Sequence, residues 1–147
     1  MEEHVFGGAA ATAKEPARPV LQAMWRGFNG RCPHCGKGKL FYRFLKVADH
    51  CSECGEEFHH HRADDLPAYL VIVIVGHITV GGLLSLERVT NWSLWTHIAI
   101  WIPITIAMAV ALINPIKGAV VGLQWALRMH GFGGEDKNEL EKGYGDQ

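Results

Sequence analysis

Formal charge is nearly missing from the middle of this sequence of 147 residues. Of its 14 Lys and Arg residues, 9 precede Pro67 and only Arg88 lies between Pro67 and Asn114. An excess of positive charge is missing too, because the formal net charge of the chain is -1. Such a balance excludes a strong attraction of the whole chain to nucleic acid.

A secretory signal is also missing. Residues 1–19 have neither a basic start nor a sustained apolar run, and their Ala, Gly and Pro content without periodicity predicts a disordered lead. The four cysteines form two close pairs. Without an export signal we expect them in a reducing compartment, where metal binding is favoured over disulfides.

Two long apolar runs occupy the charge-poor middle, at 68–86 and 92–113. About 20 residues of helix cross about 30 Å of hydrocarbon, so the runs predict two transmembrane helices. Only five residues connect them, which predicts an antiparallel hairpin over 68–113. The alternative is a pair of buried helices in a soluble protein, but so small a chain could not cover both on all sides.

Basic residues flank this hairpin more than they occupy its loop. Arg62 precedes it and Lys117 and Arg128 follow it, whereas Arg88 alone lies between the runs. Under the positive-inside rule we expect both termini in the cytoplasm and the loop outside. Pro103 lies within the second run and is expected to kink that helix.

Three further segments complete the chain. Residues 20–30 predict a short amphipathic helix, because apolar residues recur there at i, i+3, i+4 and i+7 spacing: Leu21, Met24, Trp25 and Phe28. Residues 114–132 either extend the second span or lie in the membrane interface. The tail at 133–147 is acidic and expected to be loose.

The strongest chemical signal is the pair of motifs CPHCG at 32–36 and CSECG at 51–55. The two-residue spacing lets one tight turn present both sulfurs to one ion, and the following glycine permits left-handed backbone. Four thiolates form a closed tetrahedral site suited to zinc, and a β-hairpin fits between the motifs. The sequence predicts a structural zinc ribbon over 31–58 with four ligands: Cys32, Cys35, Cys51 and Cys54.

Alternatives to zinc remain open at this point. A redox dithiol would use one pair rather than two matched pairs, and iron fits the same four thiolates. Four nearby basic residues are expected to offset the charge of the site: Arg31, Lys37, Lys39 and Arg43. Basic and aromatic residues also alternate in this segment: Lys39, Arg43 and Lys46 with Phe41, Tyr42 and Phe44. This alternation permits nucleic-acid recognition, although docking on a protein or on lipid headgroups suits a membrane-tethered domain better.

Three stretches follow one another along the chain: RGFNGRCPHCGKGKLF, LKVADHCSECGEEF and HHRADDLPAYLVIVIVGH. In this order they resemble the bacterial family catalogued as domain of unknown function 983. The resemblance extends over roughly 24–117. It implies a small zinc-ribbon protein of the bacterial inner membrane without an assigned activity. Some relatives look to be encoded among the genes for aa3-type cytochrome c oxidase and its assembly factors, which supports a hypothesis rather than a mechanism.

Two histidines lie within the predicted spans. His77 is at the middle of the first and His97 is nearer the outer end of the second. Polar side chains at such depth indicate a proton relay, a haem or copper ligand, or a hydrogen bond to a partner. The alternative is a neutral imidazole bonded across a helix interface, where Gly76, Gly81 and Gly82 let a neighbouring backbone approach.

The joint at 59–67 carries the remaining candidates. Asp64 and Asp65 precede Pro67, as in the first turn of a helix that an aspartate caps. The alternative is a functional acidic site with His61 and Arg62 at the cytoplasmic end of the hairpin. His59 to His61 are consecutive, and consecutive residues seldom point at one ion.

These observations favour a non-enzymatic accessory or assembly protein of a membrane complex, with a haem-copper (cytochrome c) oxidase as the candidate partner. The sequence has neither a recognisable nucleophile nor an open metal site. One alternative is a membrane enzyme or small transporter that uses His77, Asp64 and Asp65 for proton or metal handling. Another is a membrane-tethered regulator that senses metal or binds nucleic acid.

Overall fold

The structure, a computed structural model, describes residues 17–59, 65–129 and 132. Its elements in chain order are α1 (Val20–Phe28), β1 (Phe41–Arg43), β2 (Lys46–Val47), α2 (Leu66–Glu87) and α3 (Leu94–Ala126). The predicted mainly helical fold with a small β-hairpin is confirmed. The predictions for 1–19, 59–67 and 133–147 fall mostly or wholly outside the described residues.

Helices α2 and α3 pack against each other in antiparallel orientation. Thr79 Oγ1 lies 3.2 Å from Thr105 Oγ1, and Gly82 lies against the indole of Trp101. Nearer the other end, Val71 and Val75 are buried in a small apolar cluster with five α3 residues: Met108, Ala109, Leu112, Ile113 and Ile116. Both helices are long and apolar enough to cross a membrane.

Helix α3 is longer than the second apolar run. It begins after Ser93, whose hydroxyl accepts a hydrogen bond from the Thr96 N–H at 3.4 Å. It then continues through Pro103 and Pro115 to Ala126, a helix of 33 residues that is about 50 Å long at 1.5 Å per residue. Most of the 114–132 segment therefore extends the helix of the second run instead of forming a separate element.

Helix α1 lies antiparallel on the last third of α3, with small residues at the contact. A Cβ added at Gly27 would overlap the carbonyl of Gly118, and one at Gly122 would overlap the carbonyl of Ala23. Two small-x-x-x-small pairs thus face each other, an arrangement that lets helix backbones touch. The large apolar residues of α1 face outward instead: Leu21, Trp25 and Phe28 are 83%, 65% and 39% exposed.

The ribbon packs on the same end of α3. Leu40 and Phe58 of the ribbon and Val121 of α3 are each 0% exposed, and they share one core with Ala23 of α1. The other apolar cluster, between α2 and α3, includes Ile116. One helix therefore contributes to both cores of the described chain.

Candidate metal centre

The two cysteine motifs fold into the same turn. Gly36 and Gly55 have φ angles of 71° and 74°, in the left-handed region that glycine adopts without a steric penalty. The Gly36 N–H donates to the Cys32 carbonyl at 2.9 Å, and the Gly55 N–H donates to the Cys51 carbonyl at 3.0 Å. Each motif thus forms a knuckle, with its two sulfurs on one side.

The four sulfurs converge on one point. Cys32 Sγ lies 3.7 Å from Cys54 Sγ, and Cys35 Sγ lies 3.7 Å from Cys51 Sγ. All four sulfurs lie within 4.8 Å of one another. In a tetrahedral site with Zn–S bonds of about 2.3 Å the sulfurs are about 3.8 Å apart, whereas a disulfide requires about 2 Å. The predicted four-cysteine cluster is confirmed, and its donor set fits a metal ion.

The surroundings of the sulfurs shift the pKa values of three cysteines in opposite directions. Hydrogen bonds from the backbone N–H groups of Gly38 and Lys37 lower the pKa of Cys35 to about 6. Burial raises the pKa of Cys32, and loss of hydration raises that of Cys54. A metal ion bound by all four thiolates must therefore displace protons from Cys32 and Cys54.

Two side chains from the helices hold the knuckles in place. Arg26 of α1 donates from Nη1 to the carbonyls of Pro33 and His34, at 3.2 and 2.7 Å. Trp125 of α3 donates from Nε1 to Glu56 Oε1 at 2.9 Å, just after the second knuckle. Sequence analysis missed both residues, because no sequence signal links Arg26 to the first knuckle or Trp125 to Glu56.

The tip of the β-hairpin is also fixed to α3. Leu45 has a φ of 61°, a conformation that costs a non-glycine residue about 1 kcal/mol or more. Its N–H donates to Asn114 Oδ1 at 2.9 Å, and its carbonyl accepts from Lys117 Nζ at 2.8 Å. These two bonds hold the strained turn in place, so Lys117 has a structural role as well as its expected topological one.

The structure does not bring the two histidines of the apolar runs together. His77 is exposed, and its Nδ1 lies 2.7 Å from the Val73 carbonyl of its own helix. The Thr79–Thr105 contact places His97 at the level of Glu87, ten residues from His77 along α2, or roughly 15 Å. One chain therefore does not form a two-histidine site from this pair.

The expected bond from His77 across a helix interface is wrong for α2 and α3. No described residue outside α2 lies within 4 Å of a Cβ added at Gly76 or Gly81, and of the three glycines only Gly82 faces the neighbouring helix. His97 is half-buried beside the Trp92 ring, with centroids 5.8 Å apart. Among the described residues, its Nδ1 has no hydrogen-bond partner.

The acidic joint is described only at its end. Asp65 occupies the N-cap position of α2, but it has a helical backbone conformation and its side chain makes no capping hydrogen bond. The expected capping role is therefore wrong for Asp65. Pro67 lies in the first turn, as predicted. His61, Arg62 and Asp64 lie outside the described residues, so their predicted roles stay predictions.

One family model matches the chain. It carries the description "Protein of unknown function (DUF983)" and covers residues 41–125, more than half of the sequence. The match includes the second knuckle, α2 and nearly all of α3, but it begins after Cys32 and Cys35 and ends beyond Lys117. No curated protein and no solved structure matches the chain.

Proposed function

We propose that this chain, which belongs to the DUF983 family of proteins of unknown function, is a non-enzymatic accessory or assembly protein of a membrane complex. The observation that carries the proposal is the shared helix α3. Its first part pairs with α2, and its last part holds α1 and the ribbon. A partner bound by the ribbon would thereby be held at a fixed place relative to the apolar hairpin.

Membrane insertion is supported by the exposure of the apolar helices. In the most apolar 18-residue stretches of α2 and α3, only 11% and 6% are buried within the chain. Ile72, Val80 and Ile106 are 66%, 57% and 58% exposed. Apolar surface on this scale exceeds what soluble monomers present to water, whereas hydrocarbon solvates it.

The location that we propose is supported by the family resemblance and by the distribution of charge. We place the hairpin in a bacterial inner membrane, with both termini and the ribbon in the cytoplasm. Arg88 is the sole Lys or Arg between α2 and α3, whereas nine precede Pro67 and four follow Asn114. The positive-inside rule favours this orientation.

The metal we assign to the cluster is zinc, with a structural role. Four thiolates complete a tetrahedral coordination sphere and leave no open position for substrate. Two of the cysteines, Cys32 and Cys51, lie in the core that joins the ribbon to α3. Bound zinc would therefore stabilise the surface that docks the partner.

The partner we propose is a haem-copper (cytochrome c) oxidase or one of its assembly factors. The support for this identity is the gene association that the family resemblance implies. The attachment of the ribbon to α3 supports a partner that reaches both the ribbon and the apolar hairpin.

Purification from native membranes in mild detergent tests this proposal. Oxidase subunits should co-purify with the wild-type chain in mass spectrometry, and deletion of its gene should lower the haem a absorbance of the membranes. A Ser52→Ala chain, changed at an exposed residue of the second knuckle, is the control and should co-purify the same subunits as the wild-type chain. Unchanged oxidase levels, together with no co-purifying subunit of any membrane complex, would refute the assembly role.

A further inference from the structure

The tip of the β-hairpin, residues 42–46, presents aromatic and basic side chains outward. Tyr42 and Phe44 are 62% and 57% exposed, and Arg43 and Lys46 are exposed beside them. The sequence contains no acidic residue from Lys37 to Ala48. Exposed aromatic residues in a purely cationic segment suit a partner that is apolar in one part and anionic in another.

The hydrogen bonds of the tip to α3 fix its level relative to α2. Counted from the Thr79–Thr105 contact, residues 114–117 of α3 lie opposite residues 67–70 of α2. Asn114 and Lys117 are the two residues that hold Leu45. The tip is therefore fixed at the level of the first turn of α2, where the uncharged run begins.

We propose that the hairpin tip binds the anionic headgroup layer of the membrane in which α2 and α3 lie. This inference rests on the membrane insertion proposed above. Tyr42 and Phe44 would enter the boundary between headgroups and hydrocarbon, where aromatic rings concentrate. Arg43 and Lys46 would pair with lipid phosphates, whose negative potential attracts basic residues close to the surface. The tip thereby holds the ribbon against the bilayer.

The test uses the full zinc-loaded chain in nanodiscs. An environment-sensitive fluorescent amino acid replaces Phe44, and lipids with a spin label near the headgroup quench it. The matched control carries the same amino acid in place of Leu21, which is 83% exposed. Because Ala23 lies against Gly122, position 21 is level with residue 124 of α3, about 10 Å farther from the tip level.

In discs that contain phosphatidylglycerol, quenching at position 44 should exceed quenching at position 21 several-fold. The double substitution Arg43→Glu and Lys46→Glu should remove most of that excess. Equal quenching at both positions would overturn the proposal. Equal quenching at position 44 in discs of phosphatidylcholine alone would overturn the preference for anionic lipid, and a response to added RNA in place of lipid would assign the tip to nucleic acid.

A third probe separates this inference from the proposal on which it rests. Ile78 lies in the middle of α2 and is 52% exposed, so a probe at that position reports insertion through quenching by lipids labelled deep in their acyl chains. Quenching at position 78 without quenching at position 44 would refute the tip inference alone. No quenching at position 78 would refute membrane insertion itself.

Discussion

Among single side chains, the four cysteines differ although they serve one site. Cys32 and Cys51 are 0% and 2% exposed, whereas Cys54 is exposed. The pKa of Cys35 is lowered to about 6 by the N–H groups of Gly38 and Lys37. Cys35 is therefore a thiolate at neutral pH before metal arrives, and it is suited to be the first ligand.

Replacement of Cys51 by serine should remove the metal. Three thiolates and a buried hydroxyl bind zinc far more weakly than four thiolates, and structural zinc binding supplies about 10 kcal/mol or more of folding free energy in small domains. Elemental analysis should give about one metal ion per wild-type chain and none for Cys51→Ser. The exposed neighbouring substitution Ser52→Ala should keep the metal, and full occupancy in Cys51→Ser would contradict the assigned ligand set.

Metal affinity should rise with pH. The raised pKa values of Cys32 and Cys54 keep their thiols protonated at neutral pH, and the ion binds only their thiolates. Binding therefore releases at least these two protons, so the logarithm of the affinity should rise by at least about two per pH unit near neutrality. Below about pH 6 the protonation of Cys35 should steepen the dependence. Chelator competition at several pH values measures it, and a flat profile would exclude this assignment.

Between the helices, the close contact of α1 with α3 depends on residues that have no side chain beyond Cα or only a small one. Gly118 and Gly122 let the α1 backbone approach, and the bulky apolar face of α1 points away. The spacing rule that located α1 was therefore correct about the helix and uninformative about which face packs. The small-x-x-x-small pattern of Ala23 and Gly27 was the signal that would have identified the packed face.

Gly118→Ala should destabilise the protein. The added Cβ would overlap the Gly27 carbonyl, and forced overpacking costs about 1–3 kcal/mol in the free energy of unfolding. Gly81→Ala is the matched control, because no described residue outside α2 lies within 4 Å of its added Cβ and alanine favours helix by up to about 1 kcal/mol. Thermal unfolding in one detergent compares the two variants, and equal midpoints would contradict the close contact.

Hydropathy and cysteine spacing predicted most of the architecture and the whole four-cysteine cluster. Both signals are local, since 3.6-residue geometry and two-residue spacing act within a few turns of chain. Arg26, Asn114 and Trp125 escaped prediction because each donates to or accepts from a group outside its own helix, which its sequence neighbours do not indicate. Leu45 escaped because a leucine at positive φ is specified by its bonds to α3 and not by its own preference.

For the chain as a whole, orientation in the membrane is the property that charge distribution predicts. A fluorescent protein fused to the C-terminus should fold and fluoresce in the cytoplasm, and alkaline phosphatase fused there should be inactive. Alkaline phosphatase inserted after Thr90, in the α2–α3 loop, should be active, because that enzyme requires an exported, oxidising compartment. The reverse pattern would place the ribbon outside and contradict the proposed topology.

Because α3 is continuous, it fixes the direction in which the ribbon lies around the helix axis relative to α2. Each residue of an α-helix advances about 100° around its axis, and residues 94–113 and 118–126 face different neighbours from one continuous helix. One alanine inserted near Pro115 would turn the ribbon by about 100° relative to α2. Asn114 and Lys117 would then no longer both reach Leu45. Seven inserted residues, about two turns, would nearly restore the direction while lifting the ribbon by about 10 Å. The number of residues in this part of α3 therefore sets the direction and the height of the metal centre together, because each helical residue changes both.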